Sequence, residues 1–346
     1  MPAPGTPLRS LGFLTIGLFD PADPAAGHET TLRVIEQGEQ LGFDSAFLRH
    51  RHLQYGISSP VAVLAAATQR TSRIALGTAV IPLGWENPLR LAEDLATVDV
   101  LSGGRLHPGV SVGPPMHWDD VKGSLYPDTA EAEDFSYGRV ERLLRLVAGE
   151  PAGSISGKVS VVEEFSDRVQ PHSPGLRARM WYGGAGLRSS AWAGGVGMNF
   201  LTSSVVRSEE IPGVDPTDFA GLQAAHVRAF RAAHPDPATA RVSQGLVVIP
   251  TDSATGEQRA KYEAYVAART PRLGTPHGPG GLLFARDLIG SSDQIAEQLY
   301  ADAGFREVDE VVFALPFSFA GEDYEQLLTD IASRLGPALG WTPAAT

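Results

Sequence analysis

The chain has 346 residues, with 28 lysines and arginines against 40 aspartates and glutamates, so its formal net charge is −12. This balance argues against sequence-independent nucleic-acid binding and against adhesion to anionic membranes, since both need a basic surface. The absence of cysteine excludes disulfides, thiolate metal sites and cysteine nucleophiles. No apolar run approaches the ~18 residues of a membrane span, and the N-terminal segment lacks a signal-peptide pattern, so we expect a cytoplasmic protein.

Short apolar runs alternate with segments of helical periodicity along the chain. The runs predict eight strands, at Leu11–Phe19, Ser45–Leu48, Ile74–Ile81, Leu106–Gly113, Met180–Ala185, Asn199–Thr202, Val242–Ile249 and Glu310–Pro316. The periodic segments predict helices at Glu29–Leu41, Pro60–Arg70, Pro88–Leu101, Phe135–Ala148, Ser189–Gly195, Phe219–Ala233, Glu257–Arg269, Asp293–Ala303 and Tyr324–Leu335.

The order of these elements predicts the fold class. Strands that are apolar on both faces are typical of parallel sheets covered by helices on each side. Eight strand–helix units with right-handed crossovers favour an α/β protein of the closed (β/α)8 TIM-barrel type over an open sheet. We predict a single domain over 1–346, with insertions at about 114–134, 149–179 and 271–285. The first and third insertions, irregular and rich in Pro and Gly, are expected to be mobile covers over the ligand pocket.

The segment from Met180 to Ser190 runs from a strand through small residues into a helix. Its glycines let a ligand approach the backbone, and the free N–H groups and dipole at a helix start favour an anion such as a phosphate. The candidate residues are Ala185, Gly186, Leu187 and Ser189. The alternative is a tight turn that needs glycine for its geometry alone. A Rossmann dinucleotide site fits less well, because no acidic residue ends the next strand.

His50, Arg51 and His52 follow the second strand. In an extended segment the two histidines point one way and Arg51 points the other. Histidine titrates near neutrality, which suits an acid–base role at this position. Two alternatives stay open: the histidines bond to neighbouring loops, or they form half of a hydrolase metal site. The metal site is disfavoured, because strands five, six and eight end without His or Asp, and we predict no metal.

Aromatic residues cluster near the expected carboxyl ends of the strands. They are Phe19, Trp85, Trp118, Trp181, Tyr182, Phe317 and Phe319. Any one of them alone is more simply a core residue. Together they predict a dry, flat-walled ligand pocket at the mouth of the barrel.

Four motifs carry a family resemblance. LGFDS at 41–45, TSRIALGTAV at 71–80, NPLRLAED at 87–94 and DVLSGGR at 99–105 resemble bacterial luciferase-like flavin-dependent monooxygenases. They are specific together because they occur in the same order and at the same spacing. The resemblance is strong over 11–113, resumes over 179–204 and returns weakly over 288–335. The family is a TIM barrel, which agrees with the eight strands.

The resemblance implies positions for the cofactor. A non-prolyl cis peptide bond beneath the flavin ring would fall at Ala79–Val80, and the ring edge would lie near Ser111 and Val112. The flavin phosphate would fall on Ala185, Gly186 and Ser189. Some members carry an arginine for the phosphate at the place of Val112, and Val112 cannot serve in that way.

One departure from the family concerns catalysis. Members often have Glu-His-His after the second strand, with the first histidine implicated in catalysis, and the ungapped equivalents here are His50, Arg51 and His52. Arg51 then replaces the catalytic histidine, unless a one-residue shift brings His52 into its place. The departure indicates either a different proton shuttle or a divergent subgroup with another substrate. We expect His52, or else His50, to handle the proton and Arg51 to hold an anionic group of the substrate.

The resemblance implies a monooxygenase that uses O₂ and FMN reduced by a separate reductase, because no second nucleotide motif is present for NAD(P)H. A small apolar or aromatic substrate suits the expected pocket. The alternatives are an F420-dependent hydride-transfer enzyme and a non-catalytic flavin-binding protein. Family members are commonly dimers, and we expect a homodimer.

Overall fold

The computed structural model describes residues 2–345. The strands are β1 (Ser10–Thr15), β2 (Ser45–Leu48), β3 (Ala75–Thr78), β4 (Ile81–Pro82), β5 (Leu106–His107), β6 (Gly109–Ser111), β7 (Gly157–Lys158), β8 (Glu164–Phe165), β9 (Trp181–Gly183), β10 (Asn199–Ser203), β11 (Val205–Arg207), β12 (Val242–Gly245), β13 (Val248–Pro250), β14 (Leu282–Phe284), β15 (Leu288–Gly290) and β16 (Glu310–Ala314).

The α-helices are α1 (Pro24–Gln40), α2 (Pro60–Thr68), α3 (Pro88–Leu101), α4 (Trp118–Leu125), α5 (Tyr137–Val147), α6 (Leu187–Gly195), α7 (Phe219–Ala233), α8 (Gly256–Arg269), α9 (Ser292–Ala301), α10 (Gly321–Asp330) and α11 (Gly336–Ala338). Short 3₁₀ turns lie at Leu83–Trp85, Ala130–Ala132, Leu176–Arg179, Thr270–Arg272 and Phe305–Glu307, and a π turn lies at Ile331–Leu335. No helix in this part of the chain is both long and apolar enough to cross a bilayer.

The main sheet closes into a parallel barrel of eight positions. Strands β9, β10, β12, β16, β1, β2 and β3 follow one another around it. The third position is split into β3 and β4 and the fourth into β5 and β6, with β3 beside β5 and β4 beside β6. Because β6 also pairs with β9, the ring is complete. The predicted (β/α)8 barrel is confirmed.

The split in the barrel lies at the peptide bond that the resemblance singled out. The bond between Ala79 and Val80 is cis. Just before it, the Thr78 hydroxyl donates to the Gly109 carbonyl at 2.8 Å and accepts from the Gly109 N–H at 2.9 Å. A Cβ at Gly109 would lie 2.2 Å from the Thr78 carbonyl oxygen, so only glycine allows the two strands to approach this closely.

The N-terminal end of the barrel is covered by the last part of the chain. Trp341 is buried against Phe43, with ring centroids 5.8 Å apart. Its indole N–H donates to the Asp44 carboxylate at 2.8 Å, and the same oxygen accepts from the Leu11 N–H at 2.9 Å. The opposite end, where the strands finish, stays open.

Several predicted elements differ from the structure. The first helix begins at Pro24, earlier than Glu29, because the Asp23 side chain caps it by accepting from the Ala26 N–H. The prediction that 114–134 is wholly irregular is wrong, since this segment contains α4 and a 3₁₀ turn. The third insertion contains β14, which pairs with β11 in a small sheet outside the barrel.

Candidate functional site

A cavity of about 910 Å³ opens where the barrel strands end. Its size is in the range of small-molecule and cofactor sites. The predicted site residues that line it are His50, Arg51, His52, Ala79, Val80, Ser111, Val112 and Ala185. The structure therefore brings together the residues that follow strands distant in sequence.

One side of the cavity is apolar and closely packed. The residues that line it there include Ala79, Val80, Val112 and Gly183. A Cβ at Gly183 would lie 2.6 Å from the Val80 side chain, so the backbone of β9 packs directly against the residues of the cis peptide bond. A smooth wall of this kind suits a flat ring system.

The histidines form a compact group with Trp85. The rings of His50 and His52 have centroids 4.1 Å apart, and His52 stacks on Trp85 at 3.9 Å. His50 Nε2 lies 2.8 Å from the Ser58 carbonyl oxygen. A carbonyl only accepts, so Nε2 carries the hydrogen and Nδ1 holds a lone pair. His50 Nδ1 and His52 Nε2 are both buried without a hydrogen-bond partner among residues 2–345.

Glu86 lies beside the two histidines, and burial shifts the pKa values of all three residues. Burial, with Asp94 nearby, raises the pKa of Glu86 to about 7. Burial lowers the pKa values of His50 and His52 to about 4. At neutral pH the two imidazoles are therefore uncharged and Glu86 is partly protonated. This combination can take up and release a proton near pH 7.

The same three residues also have metal-binding chemistry. One donor atom each of His50, His52 and Glu86 lie within 4.8 Å of one another. Ligands of one Zn²⁺ lie about 2.0–2.2 Å from it, so no two are more than about 4.4 Å apart. The three donors therefore lie near the separation that one shared ion requires.

The helix start predicted to hold a phosphate already has an anionic neighbour. The Leu187 N–H donates to the Glu209 carboxylate at 2.6 Å, and Glu209 also lies 3.0 Å from Nε2 of the fully buried His226. Ser189 lies in the first turn, where its hydroxyl donates to the Gly186 carbonyl at 2.8 Å. Ala185 lines the cavity, whereas Gly186, Leu187 and Ser189 lie just beyond its wall.

The aromatic prediction is correct for only two residues. Trp85 and Phe317 line the cavity. Trp181 and Tyr182 are buried in the core, and Phe319 stacks on Tyr262. Side chains alternate between the two faces of a strand, so a position near a strand end does not by itself place a ring in the mouth.

Sequence reasoning missed three charged residues: Arg49, Glu86 and Glu209. Arg49 directly follows β2 and lines the cavity, and its place after a buried strand was the available signal. Glu86 follows a 3₁₀ turn, and Glu209 follows a strand outside the barrel. Neither position has a sequence pattern that would reveal its neighbours.

The sequence profile described as luciferase-like monooxygenase matches residues 11–307. The chain belongs to this family. Its shared architecture extends to solved structures of low sequence identity, which show the fold alone. Monooxygenase RslO1 from Streptomyces bottropensis aligns over 95% of this chain and 99% of its own, with a TM-score of 0.69 and 20% identity.

A second solved structure is described with a cofactor. The oxygenating constituent of 3,6-diketocamphane monooxygenase from Pseudomonas putida, in complex with FMN, aligns over 95% of this chain and 98% of its own. The TM-score is 0.64 and the identity 15%.

Relatives of the luciferase-like monooxygenase family match shorter segments. Limonene 1,2-monooxygenase of Rhodococcus erythropolis is 35% identical over 122 residues, 34% of this chain and 30% of its own. An F420-dependent glucose-6-phosphate dehydrogenase of Intrasporangium calvum is 36% identical over 107 residues, which are 28% of this chain and 31% of the dehydrogenase. The chain thus spans about a third of the length of these two relatives.

Proposed function

We propose that this protein is an FMN-dependent monooxygenase that uses O₂ to oxidise a small organic substrate. The observation that carries the proposal is the cavity at the carboxyl ends of the barrel strands, with an apolar wall at Ala79 and Val80 and a helix start beside it. Membership of the luciferase-like monooxygenase family supports an oxidoreductase. The FMN-bound P. putida structure supports the choice of cofactor.

The residues present fit FMN in two respects. Ala79, Val80 and Val112 would contact the flat ring, with Ser111 at its edge. Among residues 2–345, the N–H groups of Arg188 and Ser189 have no acceptor and are available to the phosphate. The adjacent Leu187 N–H is taken by Glu209, so a phosphate would share the helix start with this carboxylate or displace it.

Reduced FMN would supply two electrons to O₂, so that one oxygen atom enters the substrate and the other leaves as water. The protein residues would handle the proton and exclude solvent. His50 can accept a proton at Nδ1, and Glu86 can hold one near pH 7. His52 lies beside His50, so we assign it, rather than Arg51, to the proton-handling group. Arg51 is left to bind the substrate.

An F420-dependent hydride transfer is the second candidate, and the similarity to F420-dependent glucose-6-phosphate dehydrogenases favours it. A non-catalytic flavin-binding protein is the third. For the monooxygenase we further propose a separate reductase as the source of reduced FMN. A homodimer in the cytoplasm is also part of the proposal.

The test is a fluorescence titration of the purified protein with FMN and with F420, each oxidised and reduced. We expect reduced FMN to bind more tightly than oxidised FMN and than either form of F420. We also expect NADH consumption by an added flavin reductase to increase when a substrate is present. Tighter binding of F420 would favour hydride transfer, and flavin binding without substrate-dependent turnover would favour a binding protein.

A further inference from the structure

Two arginines on the cavity wall form no ion pair with the residues that the structure describes. Arg49 and Arg51 line the cavity and are each partly buried. No carboxylate oxygen of residues 2–345 lies within 4.0 Å of either guanidinium, and neither side chain donates a hydrogen bond to those residues. Burial and the charge of Arg51 lower the pKa of Arg49 to about 10.

Unpaired cations at this place are unexpected in such an acidic chain. The protein has 40 acidic side chains for 28 basic ones, so carboxylates are not scarce. Arg269 shows the ordinary arrangement, because it contacts the same Phe317 ring as Arg49 but is paired with Asp287. A partly buried charge without a partner costs free energy, and such a cost is common where a ligand supplies the missing charge.

The chemistry of the wall indicates what the ligand carries. Guanidinium groups bind planar carboxylates through two parallel hydrogen bonds. The surface beside them is apolar, with Leu14, Ala314 and Phe317 lining the same cavity. A ligand that satisfies both parts has an anionic group and an apolar body.

We propose that Arg49 and Arg51 bind the carboxylate of an organic acid whose apolar part lies against Leu14, Ala314 and Phe317. That this acid is the substrate rests on the proposed function; the anion site itself does not. The substrate class is thereby narrowed from apolar or aromatic compounds to aromatic or aliphatic acids.

The probe is phenylacetate, compared with its neutral isostere phenylacetamide, titrated calorimetrically into the cofactor-free protein. A carboxylate held by two guanidinium groups should bind about tenfold to a hundredfold more tightly than the amide. Arg49→Met and Arg51→Met should each reduce this preference at least severalfold, while Arg269→Met should preserve it. Equal binding of the two probes, no detectable binding of either, or a preference that survives both cavity variants would overturn the proposal.

Thermal unfolding gives a second readout without any ligand. Methionine retains the contact with Phe317 and removes the unpaired charge, so Arg49→Met should leave Tm unchanged or raise it by a few degrees. Arg269→Met removes a cation paired with Asp287 and should lower Tm. A fall in Tm for Arg49→Met as large as that for Arg269→Met would show that Arg49 has a structural partner, against the proposal.

Titration with FMN and riboflavin tests whether the two arginines bind a substrate carboxylate or the phosphate of the cofactor. The arginine variants should bind both flavins as the wild type does. If they lose affinity for FMN but not for riboflavin, the arginines serve the cofactor's phosphate and the substrate assignment is wrong. If the wild type binds no flavin, the proposed function fails, while the phenylacetate comparison still decides the anion site.

Discussion

At the scale of single residues, four consecutive side chains divide the cavity wall between two kinds of chemistry. His50 and His52 lie together beside Trp85, and Arg49 lies against Phe317. The alternation follows from the extended backbone after β2, in which successive side chains point to opposite sides. One side therefore carries the imidazoles that we propose for proton transfer, and the other carries the guanidinium groups that we propose for anion binding.

Glu86→Gln is expected to stabilise the protein as the pH rises. The pKa of Glu86 is raised to about 7 by burial and by Asp94, against the opposing charge of Arg139. Folding therefore favours the protonated form of Glu86. The stability that this form contributes is fully present below the pKa of Glu86 in the unfolded chain, and it is lost as the pH rises through about 7. Glutamine does not ionise, so its advantage over the wild type should grow by up to about 3 kcal/mol between pH 4.5 and 8.

Urea unfolding at several pH values in this range measures that difference. Glu93→Gln, which alters an exposed pair with Arg90, is the matched control and should run parallel to the wild type. A Glu86→Gln curve that is also parallel would mean that Glu86 is ionised as usual.

Glu209→Gln is expected to strengthen FMN binding by about tenfold, because it removes a negative charge from the helix start where the phosphate would lie. Riboflavin, which has no phosphate, should bind the variant and the wild type equally. Glu210→Gln changes the neighbouring exposed carboxylate and is the control. Equal effects on FMN and riboflavin would contradict the phosphate placement, and weaker FMN binding would show that Glu209 positions the helix instead of competing with the phosphate.

At the scale of elements, α4 and the residues just before it form part of the cavity wall. Met116, His117, Asp120 and Val121 line the cavity. None of the described residues in 271–285 does so, and only the first of the two predicted covers therefore reaches the ligand space. The sequence of 114–134 concealed the helix because prolines precede it and its apolar positions are few.

Arg139 on α5 joins this cover to the barrel. Its guanidinium is buried and donates to the carbonyls of Leu83 and Glu86 at 2.8 and 2.7 Å. It also donates to Tyr126 at 2.7 Å and to Glu133 at 2.8 Å. These bonds tie the residues that follow α4 to the 3₁₀ turn at Leu83–Trp85 and to Glu86 after it.

Arg139→Met is expected to destabilise the protein by about 3–5 kcal/mol, because it leaves buried acceptors and a carboxylate without their partner. Limited trypsin digestion should cut faster at Lys122 in α4. Arg142→Met removes an exposed pair with Asp134 at 3.6 Å and should cost less than about 1 kcal/mol. Similar losses in the two variants would refute the role assigned to Arg139.

At the scale of the whole molecule, the two ends of the barrel differ: one is open to a cavity and the other is covered by the last part of the chain. The carboxyl end carries the cavity, and Trp341 covers the amino end through Phe43 and Asp44. A Cβ at Gly336 would lie 2.4 Å from the Trp341 ring, so this glycine allows the indole to fit. We therefore expect that stability can be changed at the amino end without changing ligand binding.

Trp341→Ala is expected to lower the free energy of unfolding by about 3–5 kcal/mol through the cavity it creates. Trp341→Phe keeps most of the packing and loses the hydrogen bond to Asp44, so its cost should be about 1–2 kcal/mol. Denaturant unfolding measures both values, and flavin affinity should not change in the phenylalanine variant. A change in affinity would show that the two ends are coupled.

Much of the barrel could be predicted from local patterns. Continuous apolar runs marked the strands, and prolines at 60 and 88 marked two helix starts that the structure confirms. The cis bond at Ala79–Val80 followed from the family resemblance and is present. The roles of Ser111, Val112, Ala185 and the helix start in cofactor binding stay predictions.

The amino-acid sequence by itself determined the succession of strands and helices and which side chains follow each strand, because periodicity, capping and proline act over a few residues. Only the tertiary structure decided that Glu86 lies beside His50 and His52 and that Glu209 accepts from the Leu187 amide. It also decided that Arg49 and Arg51 have no carboxylate partner among residues 2–345. Proton affinity and charge pairing depend on burial and on distances between groups far apart in the chain, and neither quantity exists before the barrel closes.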